Sequence, residues 1–138
     1  MQYYHIMTKK RDRASQIRQR LSQIPTEMAG EVRRVVHVRE TLRGYVYHSR
    51  RRCGKPSCRC ARGELHEAWV VATKVGGKQT TRSLGGRQRD RVERLCENYR
   101  QFRQAESAMR RLCREATELT RELGSLICED PFKEKAKR

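Results

Sequence analysis

The chain has 138 residues, of which 36% are hydrophobic, 6% aromatic and 36% charged, and its 33 Lys and Arg against 16 Asp and Glu leave a net charge of +17. That length fits one domain, and so little apolar surface excludes a large core, so a metal staple or self-association would have to add stability. No stretch approaches the ~20 apolar residues of a membrane-spanning helix, and the charge asks for a polyanionic partner, nucleic acid first.

The start, Met1-Gln2-Tyr3-Tyr4-His5, is not a secretory signal, so a cytosolic location is expected, nucleoid-associated if DNA is the partner. Residues 1–8 read as a loose arm. From Lys9 to Ile24 the apolar Ile17, Leu21 and Ile24 fall at i, i+4 and i+7, the stripe of a short amphipathic helix. Pro25 ends that helix, and Thr26 caps a second short one running from Glu27 into the Val32–Val38 region. The β-branched Val35, Val36 and Val38 could equally open a strand.

Residues 41–86 have another character. Leu42-Arg43-Gly44-Tyr45-Val46-Tyr47-His48-Ser49 predicts a first strand, and Glu67 to Val75 a second. Gly76-Gly77 supplies the positive φ that a type I′ hairpin needs, and Lys78 to Leu84 returns as a third strand. Between the first two strands lies Cys53-x4-Cys58-x-Cys60-x5-His66: three thiols and one imidazole, with Gly54, Pro56 and Gly63 for tight turns. That set has the number and type of donors of a closed, structural tetrahedral zinc site. Free thiols in a solvated loop and a disulfide are the competing readings, the last disfavoured in a reducing compartment. His48, five residues before Cys53, competes for the fourth position, but His66 closes the more compact loop.

From Gln88 to about Cys128 the chain predicts one long helix with an apolar seam at Val92, Leu95, Tyr99, Phe102, Met109, Cys113, Ala116, Leu123 and Ile127. Leu112, Leu119 and Leu126 widen it. About 40 residues at ~1.5 Å each span ~60 Å, so the seam must meet a partner chain, giving a homodimer, or the N-terminal helices folded back. The interface set is Val92, Leu95, Tyr99, Phe102, Met109, Leu112, Ala116, Leu119 and Leu123. Gly124 marks a break and Asp130-Pro131 the stop; residues 129–138 form a charged, disordered tail. Cys96, Cys113 and Cys128 are too far apart along one helix to share a metal and read as small buried hydrophobes. The organisation is thus residues 1–40 basic helical segments, 41–86 a zinc-loop sheet, 87–128 the long helix, and the tail. The fold class is α+β.

Between Arg33 and Arg62 the only acid is Glu40, and Arg50, Arg51, Arg52, Lys55, Arg59 and Arg62 crowd the cysteine loop. Arginine suits bidentate phosphate contacts and guanine edges. Tyr45, Tyr47 and Trp69 are either bases' stacking partners or, as more often in so aromatic-poor a domain, core. No nucleophile elbow, phosphate-binding glycine loop, cluster of metal-holding acids or His-x-Glu deaminase motif is present, and Tyr99 belongs to the helix seam, so no enzyme activity is expected.

Gly44-Tyr45, the Cys53-Gly54-Lys55-Pro56-Ser57-Cys58-Arg59-Cys60 core, Gly63, His66, Gly77-Lys78 and Asn98-Tyr99-Arg100-Gln101-Phe102-Arg103 resemble a family of small, uncharacterised bacterial and phage proteins often encoded near transposases or integrases. The resemblance covers roughly residues 40–105. This chain has His66-Glu67-Ala68-Trp69 where the family usually reads His-Gly-Pro-Tyr. The resemblance implies a cysteine-rich, zinc-binding small protein linked to mobile DNA and no established activity; an accessory role beside a recombinase or transposase partner is the expectation built on it. The expectation is a non-catalytic binder of double-stranded DNA. An adaptor acting through the long helix, and an RNA-binding or ribosome-associated protein, are the rivals.

Overall fold

The computed structural model describes residues 2–128, with side chains from residue 9 onward. The elements are helix α1 (Gln2–Val36), strand β1 (Gly44–Arg51), a single 3-10 turn (Arg59–Arg62), strand β2 (His66–Val75), strand β3 (Lys78–Leu84) and helix α2 (Gly86–Ile127). This is the expected α+β class, with a three-stranded antiparallel sheet in the order β1-β2-β3 and one long C-terminal helix. The expected tail lies outside the described residues.

The chain divides into two compact units, one from the described parts of Met1–Arg33 and Ala105–Arg138, the other from Arg34–Gln104. In the first, α1 lies antiparallel to the second half of α2, so the seam of the long helix meets the N-terminal helix of its own chain. Arg13 joins Glu122 through Nε and one Nη at 2.6 and 2.7 Å, and Arg20 joins Glu115. Ala14, Ile17 and Ile24 are buried from one side, Ala105 and Leu112 from the other. Met109, Ala116, Leu119, Leu123 and Leu126 are partly covered around them. Burying each isoleucine stabilises by roughly 1.5–3 kcal/mol, whereas the ion pairs at the rim, screened by water, chiefly fix the alignment.

Several sequence expectations fail here. Residues 2–8 are helical rather than a loose arm, and Pro25 does not end the helix. Proline inside a helix deletes one hydrogen bond and crowds the preceding turn, at ~3 kcal/mol or more. Buried Ile24 on one side and the Arg20–Glu27 ion pair spanning the proline hold the two segments in one line, while the ring itself faces solvent. Thr26 is therefore mid-helix and caps nothing, and Val35 and Val36 are helical, not strand. Likewise α2 continues through Gly124 to Ile127.

In the second unit the hairpin forms as expected, with Gly76 and Gly77 at φ 56° and 82°. β1 pairs with β2 from Gly44↔Thr73 to Arg51↔His66, and β2 with β3 from Trp69↔Leu84 to Val75↔Lys78. Because side chains alternate, Val46, His48, Arg50, Glu67, Trp69 and Val71 share one face, and Tyr45, Tyr47, Ser49, Arg51, Val70 and Ala72 the other. The first face looks onto the start of α2. The Arg89 guanidinium carbon sits 3.5 Å from the Trp69 ring centroid, and Val46 lines a cleft with Cys96, Glu93 and Arg94. The Leu42 N–H donates to Leu95 O at 2.9 Å, and Asn98 Nδ2 to Glu40 O at 3.0 Å, fixing the incoming strand to that helix.

Val92, Leu95, Tyr99 and Phe102 are half-buried along this part of α2, and Cys96 is 3% exposed. Of the cysteines read as buried hydrophobes, only Cys96 is one. Cys113 and Cys128 are exposed, because the stripe is centred on Ala105 and Leu112 and Cys113 stands one step round the helix. Ile127 is exposed as well.

Candidate metal centre and the surface around it

After β1 the loop is built from short-range backbone bonds. The Cys58 N–H donates to Lys55 O at 3.1 Å, closing a turn around Pro56-Ser57, and the Ala61 N–H to Cys58 O at 3.0 Å, opening the 3-10 turn. Gly54 at φ 81° and Gly63 at φ 112° reverse the chain on either side, in the left-handed region where a side chain would strain the backbone. Gly63 ends the 3-10 turn through its N–H to Cys60 O at 3.3 Å, which returns the chain to His66, the first residue of β2.

Those turns bring Cys53, Cys58, Cys60 and His66 together, with all four donor atoms within 4.8 Å of one another. Cys53 Sγ lies 3.5 Å from Cys60 Sγ, and Cys58 Sγ 3.1 Å from His66 Nε2. Around a tetrahedral zinc with Zn–S ~2.3 Å, two thiolates stand ~3.8 Å apart, and a thiolate and an imidazole nitrogen ~3.6 Å apart. These two pairs are a few tenths of an ångström shorter than in a loaded site, and the four donors together form a possible metal site. All six cysteines are free thiols.

His66 rather than His48 is the fourth member. His48 meets Trp69 in a tilted ring contact, centroids 5.0 Å apart, and turns its Nε2 to Glu67, 3.7 Å away, on the sheet face toward α2. Cys60 is 1% exposed and forms the floor of the cluster, whereas Cys53 and His66 are exposed. The Lys55 backbone N–H, helped by His66, Cys60 and Cys58, holds the Cys53 thiol down to about 6. Cys60 goes the other way. The Cys53 N–H, 3.4 Å from its sulfur, pulls it down, but burial and the neighbouring thiols push it up by more.

The expected phosphate contacts separate into two groups. Arg50 lies on the sheet face with Glu67 and pairs with it at 2.8 Å, and Arg59 sits 3.7 Å from Glu64. Both acids come from beyond the basic run, and only the register Arg50↔Glu67 makes the first pairing visible. Arg51, Arg52, Lys55 and Arg62 are exposed and make no ion pair among the described residues.

The aromatic residues separate as well. Trp69 is half-buried under Arg89, as a core reading expects. Tyr45 and Tyr47 are 55% and 36% exposed and are not core, because their strand alternates onto the face away from α2.

A family described as a domain of unknown function (DUF6788) matches residues 12–94, well over half of the chain. The chain belongs to this family. The DUF6788 match takes in most of α1, the whole sheet, the cysteine loop and the first turns of α2, so it begins earlier and ends sooner than the resemblance drawn from motifs alone. Comparison with curated proteins and with solved structures gives no match. No helix among the described residues is long and apolar enough to cross a membrane.

Proposed function

We propose that the protein is a non-catalytic, zinc-stabilised nucleic-acid-binding protein with double-stranded DNA as its preferred partner. In this reading zinc is held by Cys53, Cys58, Cys60 and His66, a closed donor set that leaves no position for a reacting water. Its role is to staple the loop between β1 and β2, in a domain with little apolar surface to do so. The observation that carries the reading is the company the cluster keeps: four exposed cations, Arg51, Arg52, Lys55 and Arg62, with no ion pair among the described residues, in and beside the same loop of a chain with net charge +17. Arg50 and Arg59 complete the set, since exposed ion pairs are weak enough to exchange a carboxylate for a phosphate.

The resemblance to proteins encoded near transposases and integrases makes an accessory role in such a system, in the cytoplasm or on the nucleoid, the natural setting. Helix α2 keeps exposed positions that could meet a recombinase or a second copy of the chain.

The test is duplex binding across a salt series, with zinc content measured on the same preparation. Wild-type protein should bind with a steep salt dependence. Replacing Arg51, Arg52, Lys55 and Arg62 by Gln should weaken binding to every sequence and reduce the slope by about 3–4, at ~0.9 per lost phosphate contact. An unchanged slope removes the loop as the phosphate contact. A protein that binds no polynucleotide but captures an acidic protein through α2 is the adaptor reading instead.

A further inference from the structure

The sheet face turned away from α2 carries a second kind of chemistry. Beside the apolar Ala68, Val70 and Ala72 of β2, its side chains, from the strand register, are Tyr45, Tyr47, Ser49 and Arg51 on β1, Lys74 on β2, and Gln79, Thr81 and Ser83 on β3, and none is acidic. The two tyrosine rings stand side by side, centroids 5.7 Å apart and planes 36° from each other. Their cross-strand partners Ala72 and Val70 on the central strand are buried, whereas the rings, on the edge strand β1, are open to solvent. In a chain with only two Phe, five Tyr and one Trp, two of the tyrosines stand side by side on one strand and open to solvent.

Along β1 the tyrosine pair leads directly into the basic loop. Tyr45, Tyr47 and Arg51 lie on one face of one strand, with about 13 Å from Tyr47 to Arg51 at ~3.3 Å per residue, and Arg51 is paired with His66 of the metal cluster. Duplex DNA offers phosphates to such a loop but keeps its base faces stacked away. An unpaired strand offers both, and base–aromatic stacking is indifferent to sequence because every base has a π-face. The absence of carboxylates and the flanking cations Arg51 and Lys74 suit a polyanion and work against an acidic peptide.

We infer that this face binds a single DNA strand, with unpaired bases stacked on Tyr45 and Tyr47 and the adjoining phosphates held by Arg51, Arg52 and Lys55. The assignment rests on the proposed phosphate contacts and adds a base-dependent component that those contacts lack.

The experiment compares zinc-loaded full-length protein on an oligo(dT) strand, an abasic strand of equal length and charge, an oligo(U) strand and a duplex. Wild-type protein should bind oligo(dT) at least about 5-fold more tightly than the abasic strand. Tyr45→Leu/Tyr47→Leu keeps apolar side chains beside Val70 and Ala72 but should abolish that difference, leaving duplex binding, and hence folding, unchanged. Tyr45→Phe/Tyr47→Phe should keep it. Equal binding of oligo(dT) and the abasic strand by the wild type, or a difference that survives in the leucine variant, overturns the stacking face while the phosphate reading stands. Tenfold tighter binding of oligo(U) than of oligo(dT) overturns DNA as the occupant. No binding to any of the four overturns both readings.

Discussion

Arg20 and Glu115, 95 positions apart in sequence, are joined by two hydrogen bonds, Nε to Oε1 at 2.6 Å and Nη2 to Oε2 at 3.0 Å. The same guanidinium also holds Glu27, about two turns further along α1. A planar, five-donor group is suited to this bridging, and together with Arg13–Glu122 it sets which turn of α1 faces which turn of α2.

The acid sensitivity of the helix pair follows. Hydrogen bonds from Arg20 lower the Glu115 and Glu27 carboxyls, and the bond from Arg13 lowers Glu122, all from an ordinary value of 4.5. A carboxyl whose folded pKa lies below its unfolded one adds stability that is complete above the unfolded value and is lost as pH falls through the folded one. Thermal midpoints should therefore hold from neutral pH to about pH 5 and fall below it. Glu115→Gln/Glu122→Gln should be less stable at pH 7, more so at low salt, and converge on the wild type near pH 2.

Pro25 is a conformational cost that the packing of α1 overrides. Pro25→Ala restores an N–H to the helix and should stabilise the protein by about 1–3 kcal/mol, the unfolded chain's regained freedom offsetting part of the ~3 kcal/mol helix penalty. Urea unfolding with an unchanged slope and a higher midpoint is the expected result. A lower midpoint would mean that the proline is needed for the path of the helix.

Metal removal should act on the sheet. With zinc bound, chelation should lower the thermal midpoint of the wild type and leave a metal-free Cys58→Ser variant where it was. Zinc content should fall from one per chain to near zero in Cys58→Ser or His66→Ala, and stay at one in His48→Ala. Full zinc retention by Cys58→Ser would exclude that residue as a ligand.

Thiol labelling gives a metal-independent check on the helix. Cys113 and Cys128 are exposed and should react with a maleimide quickly in the native protein, whereas Cys96, under the sheet, should react only on unfolding. Fast labelling of Cys96 would show that the contact between β1 and α2 opens readily.

Local signals made much of this molecule legible. Gly76-Gly77 and the alternation around it place β2 and β3 to within a residue, and the spacing of cysteines and histidine selects the four residues that come together. What stayed hidden depends on tertiary partners. Pro25 stops a helix considered alone, but not one spanned by an Arg20–Glu27 pair and anchored at Ile24. Whether Tyr45 or Val46 faces solvent is undecidable until α2 covers one side of the sheet, since alternation names two faces but not which is buried. Arg50 looks like a free cation in a run of arginines until the register sets Glu67 opposite it. Cys113 belongs to the stripe in sequence and misses it by one position in space.

His66 serves two structures at once, as the opening residue of β2 opposite Arg51 and as a member of the donor cluster. Sliding β2 by one residue along β1 would carry its imidazole ~3.3 Å from the thiols and turn it to the opposite side of the sheet. The same slip would change which side chains accompany Tyr45 and Tyr47. Cluster and pairing can be satisfied only together, so the loop works as a registration mark that distinguishes the correct alignment of two strands from its near neighbours.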